Sequence, residues 1–185
     1  MEDAEIINLY WSRQEKAISE TDKKYGYYCN TIPFNILQNK EDAKECVNDT
    51  YWKTWNSIPP QKPHILKSYL GKITRNLSLN QYEKKKAKKR NYTVEIALEE
   101  LNECILSNNN IEIETNYIEL VNTLNSFLSR LSQEKRKIFL ERYWYLYSIK
   151  DISSKNKISE NNAKVQLSRI RNDLKKHLEE GDLYG

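Results

Sequence analysis

Residues 148–178 read SIKDISSKNKISENNAKVQLSRIRNDLKKHL. Ser148 and Asp151 stand at the Ser-x-x-acid spacing of a capping box, which opens a short helix through Ile152. Asn156-Lys157-Ile158 makes a turn, and Ser159 caps a final helix running to about Leu178. Short helix, tight turn and longer basic helix follow the order of a helix-turn-helix. At about 100° per residue, Ala163, Leu167, Ile170, Leu174 and Leu178 fall on one side of the last helix and predict its packing face. Asn161, Lys164, Val165, Ser168 and Asn172 fall on the other side. That face is polar, and its short side chains near the N-terminal end let a backbone come close to base edges in a major groove. Arg169, Arg171 and Lys175 flank it, placed to meet phosphates. A solvent-exposed amphipathic helix carries the same apolar stripe, so the rest of the chain has to decide between the two.

Working upstream, Tyr117–Leu131 and Gln133–Tyr145 read as helices separated by Ser132, a natural N-cap. These two and the helix-turn-helix predict a four-helix domain. Before them, residues 91–116 have poor amphipathic continuity, no basic residue after Asn91 and the break Asn108-Asn109-Asn110; they read as an acidic linker, with room for a short helix at Ile96–Leu101. The N-terminal part predicts four more helices. Glu2–Ser19 is the first, and Tyr25–Leu37, interrupted by Pro33, is the second. In Asn39–Ser57, Ala43, Val47, Tyr51 and Trp55 recur every four residues along one stripe, and Pro59-Pro60 ends the pattern. The loop Pro59–Ile65 carries Gln61, Lys62 and His64. The fourth helix starts near Leu66 with an apolar stripe of Leu66, Tyr69, Leu70, Ile73 and Leu77. It continues into Tyr82–Arg90, too charged to be buried.

Net charge is only +4, but its distribution is uneven. Residues 1–60 hold 7 Lys/Arg against 10 Asp/Glu, and residues 61–92 hold 10 against 1. Residues 93–126 hold none against 7, and residues 127–180 hold 13 against 7. Two basic blocks separated by an acidic one predict two surfaces for a polyanion, although a single Lys-rich run reads equally as a solvated helix face. With 4 Gly and 4 Pro the chain does not read as a turn-rich β protein. Its apolar runs are too short for a membrane span, and the acidic start Met1–Glu5 is unlike a signal peptide. Cys29, Cys46 and Cys104 form no CxxC pair, which suits reduced thiols in a cytoplasmic protein. With His64 and His177 as the only histidines, neither a metal site nor a cofactor is expected. No nucleophile–base pair is evident either, so the chain does not read as an enzyme.

Arg130–Leu178 resembles region 4 of bacterial sigma factors, through Leu131, Phe139, Glu141-Arg142-Tyr143, Ile152, Ser159, Lys164, Leu167, Ser168, Arg169, Arg171 and Leu174. Asn39–Trp55 resembles the acidic polymerase-binding helix of region 2 in the same proteins, through Asp42, Ala43, Glu45, Asp49 and Trp55. Tyr69–Arg90 resembles their DNA-melting and promoter-reading helix, through Leu70, Ile73, Arg75-Asn76 and the basic tail. Lys44, Asn48, Tyr69, Asn80 and Ala163 depart from the usual residues. Two regions in this order, joined by an acidic linker, are characteristic of the extracytoplasmic-function (ECF) group.

The resemblance implies an all-α chain: a region 2-like domain over 1–90, a linker over 91–116 and a region 4-like domain over 117–185. It implies a sigma factor that binds core RNA polymerase at its clamp and flap, recognises −10 and −35 promoter elements and promotes DNA opening. An anti-sigma protein is a further partner the resemblance admits. Asp42, Glu45 and Asp49 would face the polymerase clamp; their spacings of three and four put all three on one helix face. Gln61, Lys62 and His64 would lie at a flipped base, and Lys72, Arg75, Asn76, Lys84, Lys85 and Arg90 along the opened strand. Tyr82 is a candidate for stacking on a base, whereas Tyr69 falls on the apolar stripe and reads as core. Asn161, Lys164, Val165, Ser168, Arg169, Arg171 and Lys175 would meet the −35 element, and the acidic linker would thread a polymerase channel. The alternative is an independent helix-turn-helix regulator; such proteins normally dimerise, and no heptad seam is evident for that.

Overall fold

The computed structural model describes residues 1–85, 92–106 and 117–181. These form helices α1 (Asp3–Trp11), α2 (Lys16–Leu37), α3 (Lys40–Ser57), α4 (Leu66–Lys85), α5 (Tyr92–Leu106), α6 (Tyr117–Arg130), α7 (Gln133–Tyr143), α8 (Ile149–Asn156) and α9 (Glu160–Gly181). No strand occurs among the described residues, so the fold is all-α. The chain divides into two compact units, Met1–Asn91 and Tyr92–Gly185.

In the first unit α2, α3 and α4 pack against one another, and α1 leans on α2. The helix expected over Glu2–Ser19 is broken. Arg13 takes a positive φ of 53°, Ser12 Oγ turns back to donate to the Asn8 carbonyl at 2.7 Å, and the Arg13 guanidinium donates to the Trp55 carbonyl at 2.7 Å. That break lets Ile6, Ile7 and Tyr10 fold onto the same core as Ala17, Cys29, Val47, Tyr51, Leu66 and Leu70. The second helix starts earlier than expected, at Lys16 instead of Tyr25, and ends at Leu37 as expected. Pro33 has no N–H to offer the Cys29 carbonyl, yet it is buried within the helix. Gln38, left-handed at φ 53°, ends it. Asn39 then caps α3 by accepting from the Glu41 and Asp42 amides.

The fourth helix buries a different face from the one its large apolar residues predict. Leu66, Leu70, Gly71, Thr74, Ser78 and Tyr82 are buried, while Tyr69, Ile73 and Leu77 are half-buried. Small polar residues make the close contact with α3. Thr50 and Thr74 oxygens lie 3.1 Å apart and Cys46 Sγ lies 3.2 Å from Ser78 Oγ. The hydroxyls of Thr50, Thr54, Thr74 and Ser78 each donate to the carbonyl four residues earlier, at 2.7–2.8 Å. A hydroxyl satisfied within its own helix is cheap to bury, so this seam closes without large side chains. Tyr82 is therefore core, at 3% exposure, and is not placed to stack on a base.

In the second unit α9 is the hub against which α5, α6, α7 and α8 all pack. Its core gathers Val94, Ala97, Phe127, Ile138, Phe139, Leu146, Ile152 and the α9 stripe Ala163, Leu167, Ile170, Leu174 and Leu178. The main departure from the sequence reading lies in the expected linker. Residues 92–106 form α5, which packs on α7 and α9. Val94 and Ala97 are fully or almost fully buried, and Cys104 keeps 6% exposure. The remainder of the expected linker, 107–116, lies outside the described residues.

All three cysteines are buried. Burial pushes the Cys29 thiol up to about 12 and raises those of Cys46 and Cys104. A thiol kept protonated is a poor nucleophile. Ellman's reagent at pH 8 is expected to find no rapidly reacting thiol in the folded protein and three after denaturation; a fast-reacting native thiol would contradict this packing.

Candidate nucleic-acid interface

The second unit presents its candidate surface through two caps and a turn. The Ser148–Asp151 capping box is formed: Ser148 Oγ accepts from the Asp151 amide at 3.1 Å, and the Asp151 carboxylate accepts from the Ser148 amide at 3.3 Å. Lys157, left-handed at φ 54°, ends α8, and Ser159 Oγ accepts from the Asn162 amide at 3.1 Å to start α9. Three consecutive residues of α7 then tie the unit together. Glu141, 7% exposed, accepts from the Asn156 amide group at 2.6 Å and so holds the end of α8. Arg142, 3% exposed, donates to the Tyr147 carbonyl and to Glu100 of α5, each at 3.2 Å. The Tyr143 hydroxyl accepts from Arg171 of α9 at 2.9 Å and donates to Glu100 at 3.1 Å. Burial raises the Tyr143 hydroxyl well above its ordinary value, so it remains a neutral donor at any working pH.

With α9 held this way, Asn161, Lys164, Val165, Ser168, Arg169 and Lys175 are exposed opposite the buried stripe. Arg171 is not. Its guanidinium turns back to Tyr143 and lies 3.3 Å from the Glu100 carboxylate, with 24% of the side chain exposed. The residue expected to flank the reading face and meet phosphate is thus paired with an acidic group of its own unit. Its i,i+4 and i−7 neighbours Lys175 and Lys164 share nearly the same stripe but are exposed.

In the first unit Glu45 and Asp49 are exposed on α3 and Asp42 is half-exposed. Asp42 accepts from Lys85 at 2.7 Å, so one of the α3 carboxylates meets the basic end of α4. Lys72, Asn76, Lys84 and Lys85 are exposed along α4, and Arg90 lies outside the described residues. Arg75 is half-buried, and burial lowers the affinity of its guanidinium for a proton, so it stands less open to a strand than its position suggests. The loop residues Gln61, Lys62 and His64 are exposed. Gln61 is anchored: the half-buried Tyr69 hydroxyl lies 2.8 Å from its Oε1 and 2.6 Å from Ser57 Oγ.

The sequence reading missed a groove of about 790 Å³ between α2 and α3, lined in part by Ile18, Asp22, Val47, Trp52 and Trp55. Trp52, 66% exposed, lies three residues after Asp49 on α3. Its clue was an indole one residue past the buried Tyr51, off the apolar stripe of α3. No helix among the described residues is long and apolar enough to cross a membrane.

No curated protein matches the chain. Residues 122–174, from within α6 through most of α9, are similar to the family model described as Sigma-70, region 4.

Proposed function

We propose that the chain is an ECF-type sigma factor that binds core RNA polymerase, recognises −35 and −10 promoter elements and promotes DNA opening. The observation that carries this reading is the exposed face of α9, set on a capped helix-turn-helix inside the segment that resembles region 4. Asn161, Lys164, Val165 and Ser168 would address base edges of the −35 element. Arg169 and Lys175 would meet phosphates. In the first unit, Asp42, Glu45 and Asp49 would meet the polymerase clamp, with Trp52 as an apolar anchor beside them. Lys62 and His64 of the loop, with Lys72, Asn76, Lys84 and Lys85 of α4, would follow the opened strand. Phosphate contacts of this kind make binding salt-dependent, whereas base contacts make it sequence-specific.

The reading is tested by pull-down with bacterial core polymerase, followed by sequencing of the transcripts that the complex starts in vitro. A shared upstream element among the starts supports it. Failure to bind polymerase, together with tight operator binding by the chain alone, would favour an independent regulator instead.

Within this reading, Lys164→Ala is expected to cost roughly 1–3 kcal/mol on the preferred upstream element and much less on altered ones, relaxing specificity. Lys175→Ala is expected to weaken binding about equally on all sequences and to flatten the salt slope by roughly one ion. Holoenzyme binding across a library of upstream elements at several salt concentrations separates the two. An equal loss on every sequence for Lys164→Ala would mean that the helix enters the groove at another angle.

A further inference from the structure

Arg171 occupies an unusual position for a cation on a DNA-reading helix. Spacings of seven and four place it on nearly the same stripe as Lys164 and Lys175, within about 11 Å of the first along the axis. Both of those lysines are exposed, yet Arg171 is drawn sideways onto α5. Two groups hold it there, the Tyr143 hydroxyl to which it donates and one carboxylate oxygen with which it is ion-paired. Glu100 Oε2 lies 3.2 Å from Arg142 Nε, 3.3 Å from an Arg171 terminal nitrogen and 3.1 Å from the Tyr143 hydroxyl. Tyr143 closes the ring by accepting from Arg171 at 2.9 Å while donating to Glu100. Cys104 Sγ sits 3.9 Å from the Arg171 carbonyl, so α5 runs alongside this turn of α9. An anionic oxygen that accepts from one guanidinium and one hydroxyl, and is ion-paired with a second guanidinium, has surroundings like those Arg residues offer to a backbone phosphate.

We propose that Glu100 stands in for a DNA phosphate at Arg171, so that α5 restrains the non-specific grip of the reader helix. Arg142 is sealed in the core and belongs to the scaffold. Arg171, a quarter exposed at its side chain, is the group that can change partner. Held by Glu100, it adds nothing to the sequence-independent part of DNA binding. The exposed reading face then contributes a larger share of the total, and Glu100 becomes a positioning residue for specificity without touching a base. Residues 93–126 contain no cation, so Glu100 has none on its own helix to pair with and its partners are Arg142 of α7 and Arg171 of α9. The inference rests on reading α9 as a DNA reader, but it does not require polymerase.

The test uses the full chain and duplex DNA of unrelated sequence, titrated with salt. For Glu100→Gln, binding at low salt is expected to tighten roughly two- to fivefold, the range of one exposed ion pair. The log–log salt slope should steepen by about 0.9, one additional phosphate. Arg171→Gln in the native background should leave the slope unchanged, and adding Arg171→Gln to Glu100→Gln should return the slope to the native one. Glu100→Asp retains the charge on a shorter arm and should fall between native and Glu100→Gln; helical content is followed for every variant. A merely structural clasp gives a different pattern, in which Glu100→Gln weakens binding with no change of slope. That result overturns the proposal, as does a flatter slope for Arg171→Gln alone, which would place Arg171 on phosphate already. Because no polymerase is present, these outcomes are independent of the pull-down that tests the sigma-factor reading.

Discussion

Changing Asp42→Lys, Glu45→Lys and Asp49→Lys together is expected to abolish co-purification with bacterial core polymerase, while helical content and melting temperature stay nearly unchanged. The three carboxylates share the outer face of α3, whose other sides carry Ala43, Cys46, Val47, Thr50 and Tyr51 into the core. Asp49 and Glu45 are exposed, and the Asp42–Lys85 contact is a partly exposed ion pair. Such a pair contributes about 0–1 kcal/mol to folding, so reversing these charges leaves the bundle standing. Association is more sensitive: complementary charge orients the encounter, and a like charge set against a basic partner costs several kcal/mol. The measurement is pull-down alongside circular dichroism melting. Polymerase binding that survives the triple change removes these carboxylates from the contact.

Gly71→Ala should destabilise the first unit by about 1–3 kcal/mol, the usual range for forcing an extra carbon into a packed site. The sign is opposite to the general trend. In an open helix, replacing glycine by alanine stabilises by about 0.5–1 kcal/mol, because glycine has more freedom to lose on folding. Here a Cβ on residue 71 would lie 2.1 Å from the Tyr28 hydroxyl oxygen and 3.0 Å from the ring carbon that bears it. For a unit of this size, each kcal/mol lowers the melting temperature by about 4–8 °C. Adding Tyr28→Phe deletes the oxygen in closest conflict and should restore more than half of the loss. If Gly71→Ala melts at the native temperature or above, α2 and α4 are not in contact there as described.

The helix-turn-helix is legible in the sequence because each of its parts depends on local chemistry. Ser148 and Ser159 cap their own helices, and the α9 stripe needs only the 3.6-residue repeat. α3 is legible for the same reason. What the sequence conceals depends on partners far along the chain. The helix break at Arg13 is held partly by the Trp55 carbonyl, 42 residues away. The buried face of α4 is set by small hydroxyl residues, whose burial depends on bonds to their own backbone rather than on hydropathy. α5 hides behind its acidic composition, although Val94, Ala97, Leu101 and Cys104 recur at helical spacing. The wheel sets Arg171 at the margin of the buried stripe and Arg169 well away from it, but it does not name a partner. That partner is Glu100, 71 residues earlier, which pairs with Arg171 while Arg169 stays exposed.

The hydroxyl seam between α3 and α4 bears on how such a protein can diverge. One helix carries the acidic surface and the other the basic one, and the distance between them is the thickness of Cys46, Thr50, Thr74 and Ser78. The outward residues on either side can drift, one at a time, toward a different partner or a different base sequence. The seam has no such latitude. A valine at Thr74 would lose the hydroxyl contact with Thr50, and a leucine would wedge the helices apart and shift every basic side chain of α4 relative to the carboxylates of α3. Lineages that retune what the two surfaces recognise are therefore expected to keep small residues at these four positions, as a ruler common to both.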